Sequence, residues 1–460
     1  MSKRSMTRKS SVLAGITPTS PRGCPSIPYE IIRLAKGGCG VSKAMGKTFF
    51  IEGALPGETG KAEILEEKKN FGMARAVSRD CDAPSRNLCD TCPVSAQCGG
   101  CGFRHVKPEC ALKLKAEAVS AEIFKLSHLD PIEPVLHPVV PPESSLDGLR
   151  QRIRLHLNRS GIGYFAQDSH TIVPAGSCAV IDPALREVVQ KIDNIPRPAL
   201  GFCCELQIDL DDQKKAFLHI KPAENAHLRT PKGFAKPGTW LHQLIQSGLF
   251  AGIRFDKEHI AGDAMIRDVV SLDDMPDVYY WRRIGDFGQA TRQANAHLHR
   301  IVAHFLKQTN AQEVADLFAG SGNFTFRAAQ FAKVVRAYEF FCDAEAFQRG
   351  WCKNQANALP NAHVEMQRFD LSRGLPKTAF HCDAAICDPA RDGLSDKMCD
   401  DLKQSKIQDL LYISCEATNL ARDLARLKSS YYLKSLQFVD MFPMTPHVET
   451  VAWLTSMSNE

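Results

Sequence analysis

EVADLFAGSGNFTFRAAQFAK, residues 313–333, runs directly into VVRAYEF, residues 334–340, and this stretch decides the fold. An apolar run too short for a helix ends at Asp316. A turn with Gly320 and Gly322 follows, then an amphipathic segment, then a second apolar run ending at Glu339. Strand, glycine turn, helix and strand in that order form one βαβ unit, and such units demand a parallel sheet covered on both faces. The pattern recurs downstream in DAAICDPARDG, residues 383–393, and in DLLYISCEATNLARDLARL, residues 409–427. Residues 286–460 are therefore expected to form a doubly wound, Rossmann-like α/β domain.

In such a sheet the ligand sits where the strands end, against backbone N–H groups freed of side chains by the glycines. A dinucleotide fingerprint needs a third glycine, and Thr325 occupies that place. The turn thus points to a ligand without a pyrophosphate, such as S-adenosylmethionine, with Asp316, Gly320, Gly322 and Phe324 around it. Glu339, 23 residues beyond Asp316, stands where a ribose-binding acid belongs. Cys415 ends the run LLYIS just before a helical segment, and a thiol at a helix N-terminus has its thiolate favoured. Asp388 ends another strand, and Glu449 lies between a proline-rich loop and a last strand in FPMTPHVETVAWL, residues 442–454. These groups are expected to converge on one sheet edge.

The rest of the chain sets the context. Of 460 residues, 44% are hydrophobic and 24% charged, a balance that fits several packed domains, and no apolar run is long enough to span a bilayer. A net charge of +5 permits an anionic partner without requiring one. Residues 1–22, basic and free of acids, read as a disordered arm. Short apolar runs between Gly37-Gly38, Gly53 and Pro56-Gly57 predict a small five-stranded barrel over residues 23–80. Residues 81–285 read as a mixed α+β region, in which Arg150, Arg152 and Arg154 alternate along a strand and are expected to face phosphate. The chain has 17 cysteines, with Cys89, Cys92, Cys98 and Cys101 closely spaced and no secretory segment before them. A reducing, cytoplasmic setting and a metal or cluster site follow. The array C-x2-C-x5-C-x2-C admits zinc, although five residues between the pairs is cramped, and equally admits an iron–sulfur cluster.

Taken together, the motifs resemble the RNA uracil-5-methyltransferase family, in the branch that modifies 23S ribosomal RNA. The similarity extends over residues 29–455. It rests on Phe287-Gly288-Gln289, Asp316 to Phe324, Asp388 to Gly393, Ser414-Cys415, Leu420 to Asp423, and Phe442 to Glu449. GGCGVS and GALPGE near the N-terminus resemble the TRAM domain of RNA-modifying enzymes. The resemblance implies a class I S-adenosylmethionine-dependent fold behind an OB-like barrel. It implies Cys415 as nucleophile, Glu449 as base, and Gln289 and Asp388 beside uracil or cofactor, with Glu339 a cofactor ligand. It also implies a [4Fe–4S] cluster on Cys92, Cys98, Cys101 and Cys178. The substrate would be RNA, and its target uridine would have to be flipped out of its stack.

The sequence departs from the family at Glu416-Ala417, where Asn-Pro is usual. A carboxylate beside the thiol, if close, opposes thiolate formation. Three rivals are a cytosine-5 methyltransferase, a transfer RNA uridine methyltransferase and a non-catalytic RNA-binding protein. The first is disfavoured because Ala390, not cysteine, follows Pro389. The second generally lacks the barrel and the cysteine array.

Overall fold

A computed structural model of the chain describes residues 25–138, 147–158, 160–167, 169–196, 204–222, 238–358 and 362–457. The expected basic arm lies outside them. Two compact units emerge: Met1–Val119 with Tyr164–Val173 and Phe442–His447, and Ser120–Gly163 with Pro174–Met441 and Val448–Glu460. Among the described residues no helix is long and apolar enough to cross a membrane.

The first unit contains a six-stranded sheet in the spatial order Ser26–Glu30, Thr59–Glu67, Phe71–Arg79, Lys47–Glu52, Gly40–Ala44, Arg33–Leu34. The two outermost strands are separated by only two residues of chain, Ile31 and Ile32, so the sheet must curl until its edges nearly meet. The expected barrel is present, with the two-residue strand Arg33–Leu34 as a sixth member. Alternate residues point inward, and Ile27, Tyr29, Phe49, Ile51, Ala62 and Ala74 fill the interior. Gly72 is required there, since a Cβ would lie 2.3 Å from the Phe49 ring. The Pro56-Gly57 turn is clamped by Glu58, wholly buried, which accepts from the Leu55 amide at 2.8 Å and from Arg86 Nε at 2.7 Å.

In the second unit an eight-stranded sheet has the order His363–Arg368, Val334–Glu339, Glu313–Leu317, Ala384–Cys387, Asp409–Ser414, Glu449–Ser456, Tyr431–Val439, Val135–His137. The first five are parallel, as the repeated pattern demands. The return strand Glu449–Ser456 is antiparallel and inserts between Asp409–Ser414 and Tyr431–Val439. Its register is pinned by Asp409, whose Oδ1 accepts from Trp453 Nε1 and Thr455 Oγ1, both at 2.7 Å. Helix Arg292–Thr309 packs one face of the sheet with Leu298, Val302, Phe305 and Leu306.

Ahead of this sheet, Arg152–Asn158, Cys204–Leu210 and Ala216–Pro222 pair antiparallel. The expected phosphate-facing row of arginines is corrected here. Arg152 pairs with Asp209 at 3.4 Å and donates to the carbonyls of Asp286, at 2.7 Å, and Gly288, at 2.9 Å. Cross-strand neighbours place Asp209 directly opposite Arg152, so the guanidinium turns inward. Arg282, 3% exposed, completes this ion cluster with Asp209 at 3.1 Å and Asp268 at 2.7 Å. Arg154 is exposed beside Glu205.

Candidate active site

Strand register brings the predicted groups to one edge. Leu317 pairs with Tyr338 and with Cys387, so Glu339 and Asp388 flank the residue that opens the glycine turn. Ser414 pairs with Thr450 across antiparallel strands, so Cys415 and Glu449 are the next residues on either side of the same pair. The thiol and the carboxylate thus meet because of the inserted return strand.

The glycine turn begins with Phe318 at φ +65° and passes through Gly320 at +56° and Gly322 at +92°. Open space surrounds Gly320 where a Cβ would stand, whereas at Gly322 the Phe326 ring lies 2.7 Å from that position. Gly320 leaves room for a ligand, and Gly322 permits close packing beneath it. Glu339 folds back over the turn, accepting from the Gly320 amide at 3.1 Å and the Phe341 amide at 2.9 Å. Asp316, 1% exposed, accepts from Thr325 Oγ1 at 2.5 Å through Oδ2, while its buried Oδ1 has no partner. Burial, with Asp388 and Glu339 nearby, pushes its pKa up to about 7. An unsatisfied buried carboxylate oxygen beside a backbone cradle fits the amino end of an amino-acid-bearing ligand such as S-adenosylmethionine. Phe324 is buried against His299, ring centroids 5.4 Å apart, so its side chain belongs to the interior.

At the reaction end, Cys415 is reachable from solvent, yet burial of its sulfur and the charge of Glu449 raise its pKa, opposed by Arg391. Glu449 is 7% exposed, and burial with Asp388 nearby lifts it to about 8, again opposed by Arg391. Burial alone raises Asp388 to about 7. Arg391 thus acts electrostatically on both members of the pair. This arginine was not among the predicted site residues, although it lies inside Asp388 to Gly393, one of the quoted motifs. Also missed was the support of the turn: Asn323 Oδ1 accepts from Asn295 Nδ2 and His299 Nε2, each at 3.0 Å. Gln289 is half-buried on the loop that Arg152 clamps.

Of the predicted metal ligands, three fall in the first unit and one in the second. Cys92, Cys98 and Cys101 are partly exposed in the first unit, where the Gly100 amide donates to Cys98 Sγ at 3.4 Å. Cys178 lies on a turn after Ile172–Pro174 in the second. Among the described residues no three His, Cys, Asp or Glu side chains gather as a metal-holding group.

A parallel sheet with a donor cradle at one end of its edge and a thiol–carboxylate pair at the other defines an S-adenosylmethionine-dependent methyltransferase. More narrowly, the chain is similar to the RNA uracil-5-methyltransferase family. Residues 252–457 match the family model described as tRNA (Uracil-5-)-methyltransferase. The chain is 29% identical over 447 residues to the 23S rRNA (uracil(1939)-C(5))-methyltransferase RlmD of Pseudomonas syringae pv. tomato, covering 92% of each protein. It is 28% identical over 429 residues to the protein of that name from Histophilus somni, covering 90% of this chain and 92% of the relative. Among solved structures, the Pyrococcus abyssi tRNA (uracil-54, C5)-methyltransferase in complex with S-adenosyl-L-homocysteine superposes with a TM-score of 0.65 at 21% identity. That match covers 93% of this chain and all of the other, and it supports the fold.

Proposed function

We propose that this protein methylates carbon 5 of a uridine in RNA, and that its substrate is 23S ribosomal RNA. The observation that carries the reading is the Ser414–Thr450 pairing, which sets Cys415 beside Glu449. Bound S-adenosylmethionine supplies an electrophilic methyl group, held by Asp316, Gly320, Gly322, Glu339 and the backbone at Phe324, with Gln289 and Asp388 between donor and base.

Carbon 5 of uracil is a weak nucleophile. The Cys415 thiolate adds to carbon 6, the electron pair of the 5,6 double bond moves toward the 4-carbonyl, and carbon 5 gains enolate character. Carbon 5 takes the methyl group as its bond to the donor's sulfur breaks and S-adenosylhomocysteine is left; Glu449 then accepts the carbon 5 proton, the double bond re-forms, and the bond from carbon 6 to Cys415 breaks to return the thiolate. Arg391 favours both ionised partners. Its guanidinium offsets the burial that would otherwise keep them neutral.

The curled N-terminal sheet serves in this reading as an RNA-binding module of TRAM type, and the protein works in the cytoplasm. The cysteine spacing supports a [4Fe–4S] cluster on Cys92, Cys98, Cys101 and Cys178. Within the first unit Cys92, Cys98 and Cys101 do not gather as a ligand group, and no catalytic step is routed through a cluster. Anaerobic purification tests it: about four irons per chain support the cluster, and stoichiometric zinc or no metal removes it.

The test of function is incubation with labelled methyl donor and unmodified 23S or transfer RNA, followed by mapping of 5-methyluridine. Product should appear in 23S RNA and vanish in Cys415→Ala. Glu449→Gln should accumulate a covalent protein–RNA adduct. Methylation that survives loss of the Cys415 thiol would sink the mechanism.

A further inference from the structure

Helix Arg292–Thr309, RQANAHLHRIVAHFLKQT, contains no acidic residue. Its inner face is apolar apart from Asn295 and His299. Its outer face carries His297, Arg300, His304 and Lys307, spaced three, four and three apart and therefore aligned along one side. Arg300, His304 and Lys307 are exposed, and among the described residues none has an acidic partner. The stripe continues sideways onto the sheet. His304 and Lys434 both approach Trp453, at 6.4 and 4.0 Å from its ring, and His297 lies 6.3 Å from His137 on the edge strand.

Solvated charge is the ordinary explanation for such a face, but the helices Ala344–Asn354, Asp396–Gln404 and Ala417–Leu427 of this unit each carry both signs. Arg336 pairs with Glu313 and Glu365, Arg349 with Glu345, Lys397 with Asp401, and Lys403 with Asp400. A solvated helix in this protein thus mixes signs, and a row of unopposed cations repels itself unless an anion covers it. The helix begins at Arg292, three residues after Gln289, and the row starts in its second turn. From His297 to Lys307 it extends about 15 Å at the rise of an α-helix.

We propose that Arg300, His304, Lys307 and Lys434 form a track for the phosphate backbone of the substrate RNA beside its target uridine. The assignment deepens the reading of the protein as an RNA methyltransferase and rests on it. Phosphate contacts of this kind position the nucleic acid without reading its bases, and they show themselves as counterion release.

The test measures binding of the full-length protein to a protein-free 23S rRNA transcript across a salt series. For Arg300→Glu with Lys307→Glu, affinity at moderate salt should fall about tenfold, and the slope of log affinity against log salt should shrink by about two. The charge-conserving pair Arg300→Lys with Lys307→Arg should retain both. Lys434→Glu, on a strand, repeats the test independently of the helix. Unchanged S-adenosylmethionine affinity by calorimetry verifies that each variant is folded. Unaltered RNA affinity and slope in the charge-reversed variants would overturn the track and leave an acidic protein surface as the occupant of this face. Methylation of the same transcript by the unaltered protein checks the underlying reading separately: its failure removes the assigned function, while the salt slopes still decide the track.

Discussion

Arg391 holds the balance of charge at the candidate site. Its charge opposes the burial that raises both the Cys415 thiol and Glu449. Replacing it with methionine should slow iodoacetamide labelling of Cys415 about three- to tenfold at neutral pH, read by mass spectrometry of the modified peptide. The same electrostatics fix the pH profile. Glu449 must be ionised to accept a proton and loses its own near pH 8, while Cys415 ionises above the ordinary thiol value. Turnover should therefore climb from pH 6 through pH 9. A flat profile over that range would contradict the proposed roles. Most of these residues could be found in the chain because each ends an apolar run. Arg391 does not, and its importance comes from a neighbour 24 positions away in the sequence.

At the scale of single elements, Glu416 changes meaning once its helix is seen. Its side chain accepts from the Thr418 amide at 3.4 Å as the N-cap of Ala417–Leu427, and its own amide donates to Ser414 Oγ at 3.2 Å. A cap carboxylate is drawn toward the positive end of the helix. The charges felt by Cys415 come foremost from Glu449, Arg391 and Asp388. Glu416→Gln should accordingly leave turnover within about twofold, whereas Glu416→Ala should cost about 1 kcal/mol of stability in denaturant titration. The arginines of Arg152–Asn158 teach a related lesson. Alternation in sequence predicted a shared face, but it could not reveal that Asp209 stands across the strand from Arg152. Arg152→Met leaves Asp209 and Arg282 imperfectly balanced in a dry site. It should destabilise the fold by about 3 kcal/mol and raise the KM for S-adenosylmethionine through the loosened Gln289 loop.

For the molecule as a whole, the sheet edge stores protons. Asp316 and Asp388 titrate near pH 7 and Glu449 near pH 8, all well above the range of carboxyls in an unfolded chain. Between about pH 4 and pH 8 the folded state therefore binds more protons than the unfolded state, and stability declines as pH rises through that window. Thermal unfolding of ligand-free protein should show Tm falling from pH 5.5 to 8.5. Asp388→Asn should flatten the fall. A Tm that rises over the same interval would contradict the burial assigned to these groups. The alternation of strands and helices was legible at this scale, because period and punctuation are local. The insertion of the return strand was not, because pairing of Glu449–Ser456 with Asp409–Ser414 depends on contacts some forty residues apart in the chain.

That pairing has a corollary for variation and design. Separation between acid and nucleophile is counted in rungs of a hydrogen-bonded ladder whose alignment Asp409 holds through Trp453 and Thr455. Displacing the ladder by one rung would turn the carboxylate to the opposite side of the sheet, and displacing it by two would carry it about 7 Å away. Inserting one residue between Glu449 and Trp453 should accordingly yield a folded but inert protein, whereas far longer insertions in surface loops would leave catalysis untouched.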